Sequence, residues 1–212
     1  MNRFITFEGV DGCGKSTQLK LAAAWLESRG EQVVTTFEPG DTALGKELRS
    51  LLLAGVHQPV PEAELLLFLA DRAQHVREKI QPALAIDAWV LCDRYSDSTL
   101  AYQLAARKLA DGAANLHEML RFAECGVTPG LTLWFDVPVE VALERMKKRA
   151  ATGEKSTRLD DEAQSFHQRV AEGFASQFTT ESGRIQRINA GLEIEAVSEQ
   201  VSQVIRASFS LS

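Results

Sequence analysis

The stretch ITFEGVDGCGKSTQLK, residues 5–20, limits the possible folds more than any other part of this chain. An aromatic and β-branched run, Phe4 to Phe7, enters a glycine-rich turn made of Gly9, Val10, Asp11, Gly12, Cys13 and Gly14. Lys15, Ser16 and Thr17 follow at once and open a helical pattern. Two glycines around four residues, then Lys and Ser, is the spacing of a P-loop. The glycines let successive backbone N–H groups curl into an anion-binding nest, and the helix behind them adds the positive end of its dipole. Lys15 is then placed to reach the β- and γ-phosphates of a nucleotide, and the Ser16 hydroxyl to ligate Mg²⁺. A ligand-free strand–helix turn is the plainer reading. The strand before the loop and a helix over Lys15–Ser28, with Leu19, Ala22, Ala23 and Leu26 on one side, favour phosphate binding. The loop does not name the reaction, because GTPases, ATPases and kinases share it.

Further strand-like runs lie at Val33–Phe37, Trp89–Cys92, Leu131–Phe135 and Ile185–Ile188, with helical stretches between most of them. That alternation predicts an α/β, P-loop NTPase-type domain, a five-stranded parallel sheet with helices on both faces. No stretch reads as an interdomain linker, so residues 1–212 are expected to form one domain. Ligands collect at the carboxyl ends of strands in such sheets. Besides the P-loop, EPGDT from Glu38, DRYSDSTLAYQ from Asp93 and DVPVEVALERMKKR from Asp136 occupy such positions.

Composition excludes several classes. A net charge of −6 argues against a general nucleic-acid binder, so any polyanion site must be a local basic cluster. No apolar run reaches 18 residues, and charged Arg3 followed by the strand leaves no signal-type segment at the amino end. Cys13, Cys92 and Cys125 are odd in number and far apart, as expected of reduced thiols in a cytoplasmic protein.

Asp93 ends an apolar strand, the place of a Walker-B-like acid able to hold Mg²⁺ through water. Arg94 follows at the mouth of the same site, where a planar guanidinium can bridge donor and acceptor phosphates. Taken alone, the pair also reads as a helix cap. Phe68 and Arg72 stand four apart on one helical face. They form either a base slot, ring stacking below and guanidinium on the carbonyl edge, or a core Phe beside an Arg paired to an acid. Arg145, Lys147, Lys148, Arg149, Lys155 and Arg158 crowd one short span around Gly153. The span reads as a mobile lid at about residues 145–160, or as a solvated helix with a Glu144–Lys148 pair. Cys13 reads as a small packing residue. Its place beside Lys15 and a helix N-terminus also raises the expectation of a reactive, ATP-protected thiolate.

Together these motifs resemble the thymidylate kinases, over nearly the whole chain and in that family's order. FEGVDGCGKSTQ resembles the family P-loop, EPGDTALGKELRSLLL its EPGGT segment, AELLLFLADRAQH its base helix and DRYSDSTLAYQ its most specific signature. The resemblance implies an ATP- and Mg²⁺-dependent transfer of phosphate to dTMP by a cytoplasmic homodimer. It implies that Asp11 bonds the sugar 3′-hydroxyl and that Arg49 and Arg94 hold the acceptor phosphate near Glu38. Phe68 and Arg72 would hold thymine, with Ser98, Thr99 and Gln103 along the substrate site and Tyr102 against the 2′ position. Arg145, Arg149 and Arg158 would serve as lid cations, since the P-loop carries none between Gly9 and Gly14. Catalysis is then assigned to Lys15, Asp93, Arg94, Arg149 and Arg158, and metal binding to Ser16 and Asp93. The chain departs from the family at Phe37 (usually Arg), at Asp41 (usually Gly) and at LAARK, Leu104–Lys108 (usually a Gly-rich turn). Leu-Ala-Ala should carry the helix onward through Tyr102, since each Gly would cost about 1 kcal/mol relative to Ala. A deoxynucleoside kinase would need a base, for which Glu38 is the candidate, and a guanine-reading Asn-Lys-x-Asp motif is lacking.

Overall fold

Five short runs rich in β-branched, aromatic and leucine side chains form a single parallel sheet. They are β1 (Phe4–Glu8), β2 (Val33–Phe37), β3 (Trp89–Asp93), β4 (Leu131–Asp136) and β5 (Ile185–Asn189), in the order β2-β3-β1-β4-β5. The computed structural model describes residues 2–109, 115–153, 156–181 and 183–211. β1 is central and fully buried, which explains why apolar side chains point to both of its faces. Its side chains still divide between the two faces. Ile5 and Phe7 join the cluster that contains Leu19, Ala22 and Leu26, whereas Phe4 packs with Val76, Ile80 and Val90.

Helix α1 (Lys15–Glu27) supplies the first face through Leu19, Ala22, Ala23 and Leu26, the side expected from sequence. Leu26 is fully buried, and truncating such a residue to Ala costs about 2–5 kcal/mol. α2 (Ala43–Leu53) begins at Thr42, whose hydroxyl accepts the Gly45 N–H at 2.9 Å, an N-cap bond. α3 (Pro61–His75) packs on α2 and runs through a π-helical turn, Val76–Ile80, into α4 (Gln81–Ala85). After β3 come α5 (Ser96–Thr99) and a second π-helical stretch, Leu100–Ala106. The helical continuation expected for Leu104-Ala-Ala is therefore present, in a wider form, and it ends at Ala106. α6 (Leu116–Ala123), α7 (Val139–Ala151), α8 (Gln164–Thr180) and α9 (Ile194–Phe209) complete the order.

Gly173 of α8 sits against Ala101 and Ala105, where a Cβ would come within 2.9 Å of Ala105. This close approach fixes the π-helical stretch, and with it Tyr102 and Gln103, against α8. Beneath it runs a polar seam. The Thr6 and Thr132 hydroxyls meet at 2.7 Å, and Arg184 donates two bonds of 2.8 Å to Asp97. Burial of unpaired polar groups is costly, so this seam fixes the α5 register on the sheet.

Candidate active site

Four strands end on a polar residue and Glu38 stands just past β2, and at this end of the sheet one cavity of about 960 Å³ opens. The P-loop forms its floor. Gly14, at φ 96°, caps α1 in a left-handed conformation, and a Cβ on Gly12 would run into the Ala142 carbonyl. Asp11, Gly12, Cys13, Gly14, Lys15, Ser16 and Thr17 line the cavity. Val10 is buried, and Gly9 acts from behind through its carbonyl, which accepts a 3.0 Å bond from Arg94 Nη1.

Arg94 occupies a left-handed φ of 76°, an uncommon place for a residue with a side chain. Its neighbours fix it there. The Tyr95 N–H donates to Glu8 Oε1 at 2.6 Å, and Ser98 Oγ donates to Glu8 Oε2 at 2.6 Å. The guanidinium then donates to Ser98 Oγ (3.0 Å), Asp11 Oδ1 (2.6 Å) and the Tyr102 hydroxyl (3.0 Å). Tyr102 in turn donates to Asp11 Oδ2 at 2.7 Å, and Lys15 Nζ stands 3.6 Å from Asp11. Burial opposes ionisation of Asp11, but Arg94, then Lys15 and the Tyr102 bond, outweigh it and hold the carboxyl well below its usual range. Arg94 shows the counterpart: burial disfavours its charge, yet Asp11 keeps it protonated well above its ordinary value. Asp11 thus holds two cations at the place where phosphates would enter.

Ser16 Oγ donates a short bond to Asp93 Oδ2. Two hard oxygen donors therefore converge beside the Lys15 ammonium. Among the described residues no group of three or more His, Cys, Asp or Glu gathers to hold a metal. A pair of oxygens of this kind fits Mg²⁺, which takes one or two protein oxygens and completes its shell with water and phosphate.

At the other end, α3 presents Phe68 and Arg72, both lining the cavity. Arg72 is 2% exposed and donates to Glu38 Oε2 through Nε (2.9 Å) and Nη2 (2.8 Å), to Thr99 Oγ1 (3.0 Å), and lies 4.9 Å over the Tyr95 ring. Glu38 Oε1 meets His75 Nδ1 at 2.9 Å. The acid-paired reading of Arg72 and the slot reading are thus compatible. Thr99, Ser98 and Gln103 reach the same space, as does Arg49, held by the Pro39 carbonyl at 2.7 Å and lying over the Phe37 ring at 5.7 Å. Two departures gain partners here: Phe37 is the platform under Arg49, and Asp41 accepts from Thr36 Oγ1 at 2.6 Å.

The lid expectation divides. Arg145 and Arg149 line the cavity, Arg145 donating to the Ala190 carbonyl at 3.1 Å, and Glu144 pairs with Lys148 at 2.8 Å. Lys155 lies outside the described residues. Arg158 does not line the cavity: its guanidinium makes a short ion pair with Glu64, and its Nε donates to the Leu52 carbonyl at 3.0 Å. In this structure Arg158 thus faces Glu64 and not the cavity. Cys13 follows the packing reading, not the thiolate one. It is 2% exposed, and burial pushes its thiol pKa up against the opposing pull of Lys15, so the thiolate is disfavoured. Sequence reasoning missed the loop after β5, where Ala190, Gly191, Leu192 and Glu193 form one wall of the cavity. Its signal was available: NAGLE follows the fifth strand as the other site segments follow theirs.

A phosphate cradle, an acid at a strand end and an arginine-edged aromatic slot sharing one cavity define a P-loop nucleotide kinase. Residues 7–201 match the family model described as thymidylate kinase. A thymidylate kinase of Gloeobacter violaceus is 46% identical over 95% of this chain and 93% of its own. One of Carboxydothermus hydrogenoformans is 51% identical over 81% and 82%. The crystal structure of the Ehrlichia chaffeensis thymidylate kinase superposes with a TM-score of 0.75 at 30% identity, covering 95% of this chain and 97% of that one. The chain belongs to the thymidylate kinase family.

Proposed function

We propose that this protein transfers the γ-phosphoryl group of ATP to dTMP, forming dTDP and ADP for dTTP synthesis. The observation that carries the reading is the single cavity joining the Lys15 cradle to the Phe68–Arg72 slot, in a chain of this family. A phosphate oxygen of dTMP attacks the γ-phosphorus. The new P–O bond forms as the bond to the β–γ bridging oxygen breaks, and the electron pair leaves with ADP. The attacking oxygen is already anionic, so no general base is required. Positioning and charge neutralisation are the remaining tasks.

In this reading the P-loop amides and Lys15 hold the β- and γ-phosphates, with Arg145 and the loop after β5 beside the rest of ATP. Arg49 and Arg94 hold the acceptor phosphate. As phosphates arrive, Lys15 and Arg94 transfer part of their pairing from Asp11 to the substrate, leaving Asp11 available to the sugar hydroxyl. Phe68, Arg72, Thr99 and Gln103 receive thymine, and Tyr102 crowds the 2′ position. Arg149 approaches the transferring group from α7. Mg²⁺, when bound, neutralises the phosphate charge, and Ser16 and Asp93 would hold it. Exclusion of water matters because water competes as acceptor.

A homodimer in the cytoplasm completes the proposal. Leu66 on α3 and Phe122 on α6 are large apolar side chains, 55% and 84% exposed, that a partner could cover; sedimentation velocity tests the dimer, and a monomer at micromolar concentration would refute it. No helix among the described residues is long and apolar enough to cross a membrane. For the activity, ADP release is followed with ATP alone and with dTMP added. Transfer predicts strong stimulation and dTDP as product, whereas equal ATP loss in both would leave an ATPase.

A further inference from the structure

Glu64 lies in the first turn of α3, is 1% exposed, and has no part in the phosphate chemistry described above. Three side chains from two segments converge on its carboxylate. Gln103 Nε2 donates to Oε1 at 3.0 Å. Arg107, just past the end of the π-helical stretch, donates Nε to Oε1 and Nη2 to Oε2, each at 3.2 Å. Arg158, near the end of the lid span, makes its short ion pair with Oε2. Arg107 also pairs with Glu162 at 2.6 Å and lies 4.6 Å over the Phe166 ring. Burial works against ionisation of Glu64, but the bonds from Arg158, Gln103 and Arg107 outweigh it, so the carboxylate stays charged.

Two consequences follow from donor and acceptor chemistry. A carboxylate only accepts, so the nitrogen of the Gln103 amide must face Glu64 and its oxygen must face away. Gln103 also lines the cavity, so it offers an acceptor there, the group that an imide N–H of a nucleobase needs. Arg158 performs the second task. Its backbone N–H donates to the Leu53 carbonyl at 3.1 Å, its Nε to the Leu52 carbonyl, and its guanidinium to Glu64. Its neighbours Thr157, Leu159 and Asp160 line the cavity, while Arg158 does not. It acts as a peg that turns this stretch toward the ligand.

We propose that Glu64 is a positioning residue that holds the Gln103 amide and the Arg158 peg in one ion-paired knot, so that the nucleobase site and the stem of the lid order together. The proposal rests on the dTMP kinase reading above and adds an element to it. Gln103 alone would rotate its amide freely, and Arg158 alone would be an unpaired cation over two carbonyls. Glu64 makes one geometry common to both.

The test is a double-mutant cycle on the full-length enzyme with Glu64→Gln, Arg158→Leu and the double variant, each assayed for kcat and for KM toward dTMP and ATP. Loss of a buried charged hydrogen bond predicts a rise in KM for dTMP of about tenfold in each single variant. KM for ATP should stay within about twofold. The double variant should be no worse than the poorer single one, because both break the same pair. Thermal denaturation run alongside separates a folding defect, and Arg158→Leu, at the less buried end, keeps the cycle readable if Glu64→Gln folds poorly. An unchanged KM for dTMP in a folded Glu64→Gln enzyme would overturn the proposal. So would a kcat loss of about a hundredfold in Arg158→Leu at unchanged KM, the mark of a catalytic cation. If the wild-type enzyme phosphorylated a different nucleoside monophosphate, the substrate reading would fail separately, and the same cycle on that substrate would still decide the role of Glu64.

Discussion

Replacing Arg94 removes more hydrogen bonds than any other single change in the site. The guanidinium donates to Gly9, Ser98, Asp11 and Tyr102, and a lone ammonium cannot reproduce that fork. Arg94→Ala leaves Asp11 with Tyr102 at 2.7 Å and Lys15 at 3.6 Å. Breaking a buried ion pair costs about 3–5 kcal/mol. Asp11 keeps 23% of its side-chain surface exposed and two other partners, so the cost should sit at or below about 3 kcal/mol. Turnover should fall by about 10²-fold or more, since the cation meets phosphate charge most strongly in the transition state. The left-handed φ of 76° gives the experiment an internal control. Ala keeps the backbone strain and Gly relieves it, by about 1 kcal/mol. Urea unfolding should therefore rank Arg94→Gly above Arg94→Ala in stability, while both remain equally inactive in steady-state kinetics. Near-normal kcat in either variant would refute the assigned role. Arg94→Gly less stable than Arg94→Ala would refute the account of the turn.

Gly12→Ala pushes a methyl group into the Ala142 carbonyl and should raise KM for ATP at least about tenfold; an unchanged KM would mean the loop and α7 separate freely. The Glu8 carboxyl is pushed up to about 8 by burial and then by Asp97, with Ser98 and Arg94 opposing. The folded state thus holds a proton that the unfolded chain releases near its ordinary 4.5, and stability should fall as pH rises between those values. Glu8→Gln should remove that slope in urea unfolding at pH 5, 6.5 and 8, and parallel curves for both proteins would contradict it. Cys13 should alkylate more slowly than free cysteine at pH 8, with or without Mg-ATP, because its thiol is buried and its pKa raised. Mass spectrometry showing fast, ATP-sensitive labelling of Cys13 would restore the thiolate reading.

The sheet was legible in the sequence because its three inner strands are mostly apolar and its two edge strands still carry β-branched residues between helical stretches. Four of the five run one residue further than the apolar pattern, to Glu8, Asp93, Asp136 and Asn189. At those positions the side chain turns polar while the backbone stays in register, as Glu8 with Trp134 and Asp136 with Asn189 show. Hydrophobicity ends there before pairing does. Spacing also identified the P-loop and the Phe68–Arg72 face, since both are local. Contacts between distant segments were not legible. Glu64 and Arg158 are 94 residues apart, and nothing in the basic run distinguishes Arg158, turned to a buried acid, from Arg149, which lines the cavity. Likewise, propensity predicts that Leu104-Ala-Ala stays helical but not that it widens to a π-helix; Gly173 of α8 packs directly against that stretch. Only the structure separated the two readings of Cys13. Its neighbours in sequence suggested a thiolate, and its burial in three dimensions decided otherwise.

Phosphoryl transfer to a thymine nucleotide is the central claim, and a coupled ADP-release assay with each nucleoside and deoxynucleoside monophosphate tests it most directly. The account predicts the highest kcat/KM for dTMP. dUMP should lie about 10–200-fold lower, for one methyl group in an apolar slot. Thymidine itself should be inert, since Arg49 and Arg94 await a charged acceptor. Equal kcat/KM for dTMP, dUMP and dCMP, or phosphorylation of thymidine, would contradict it.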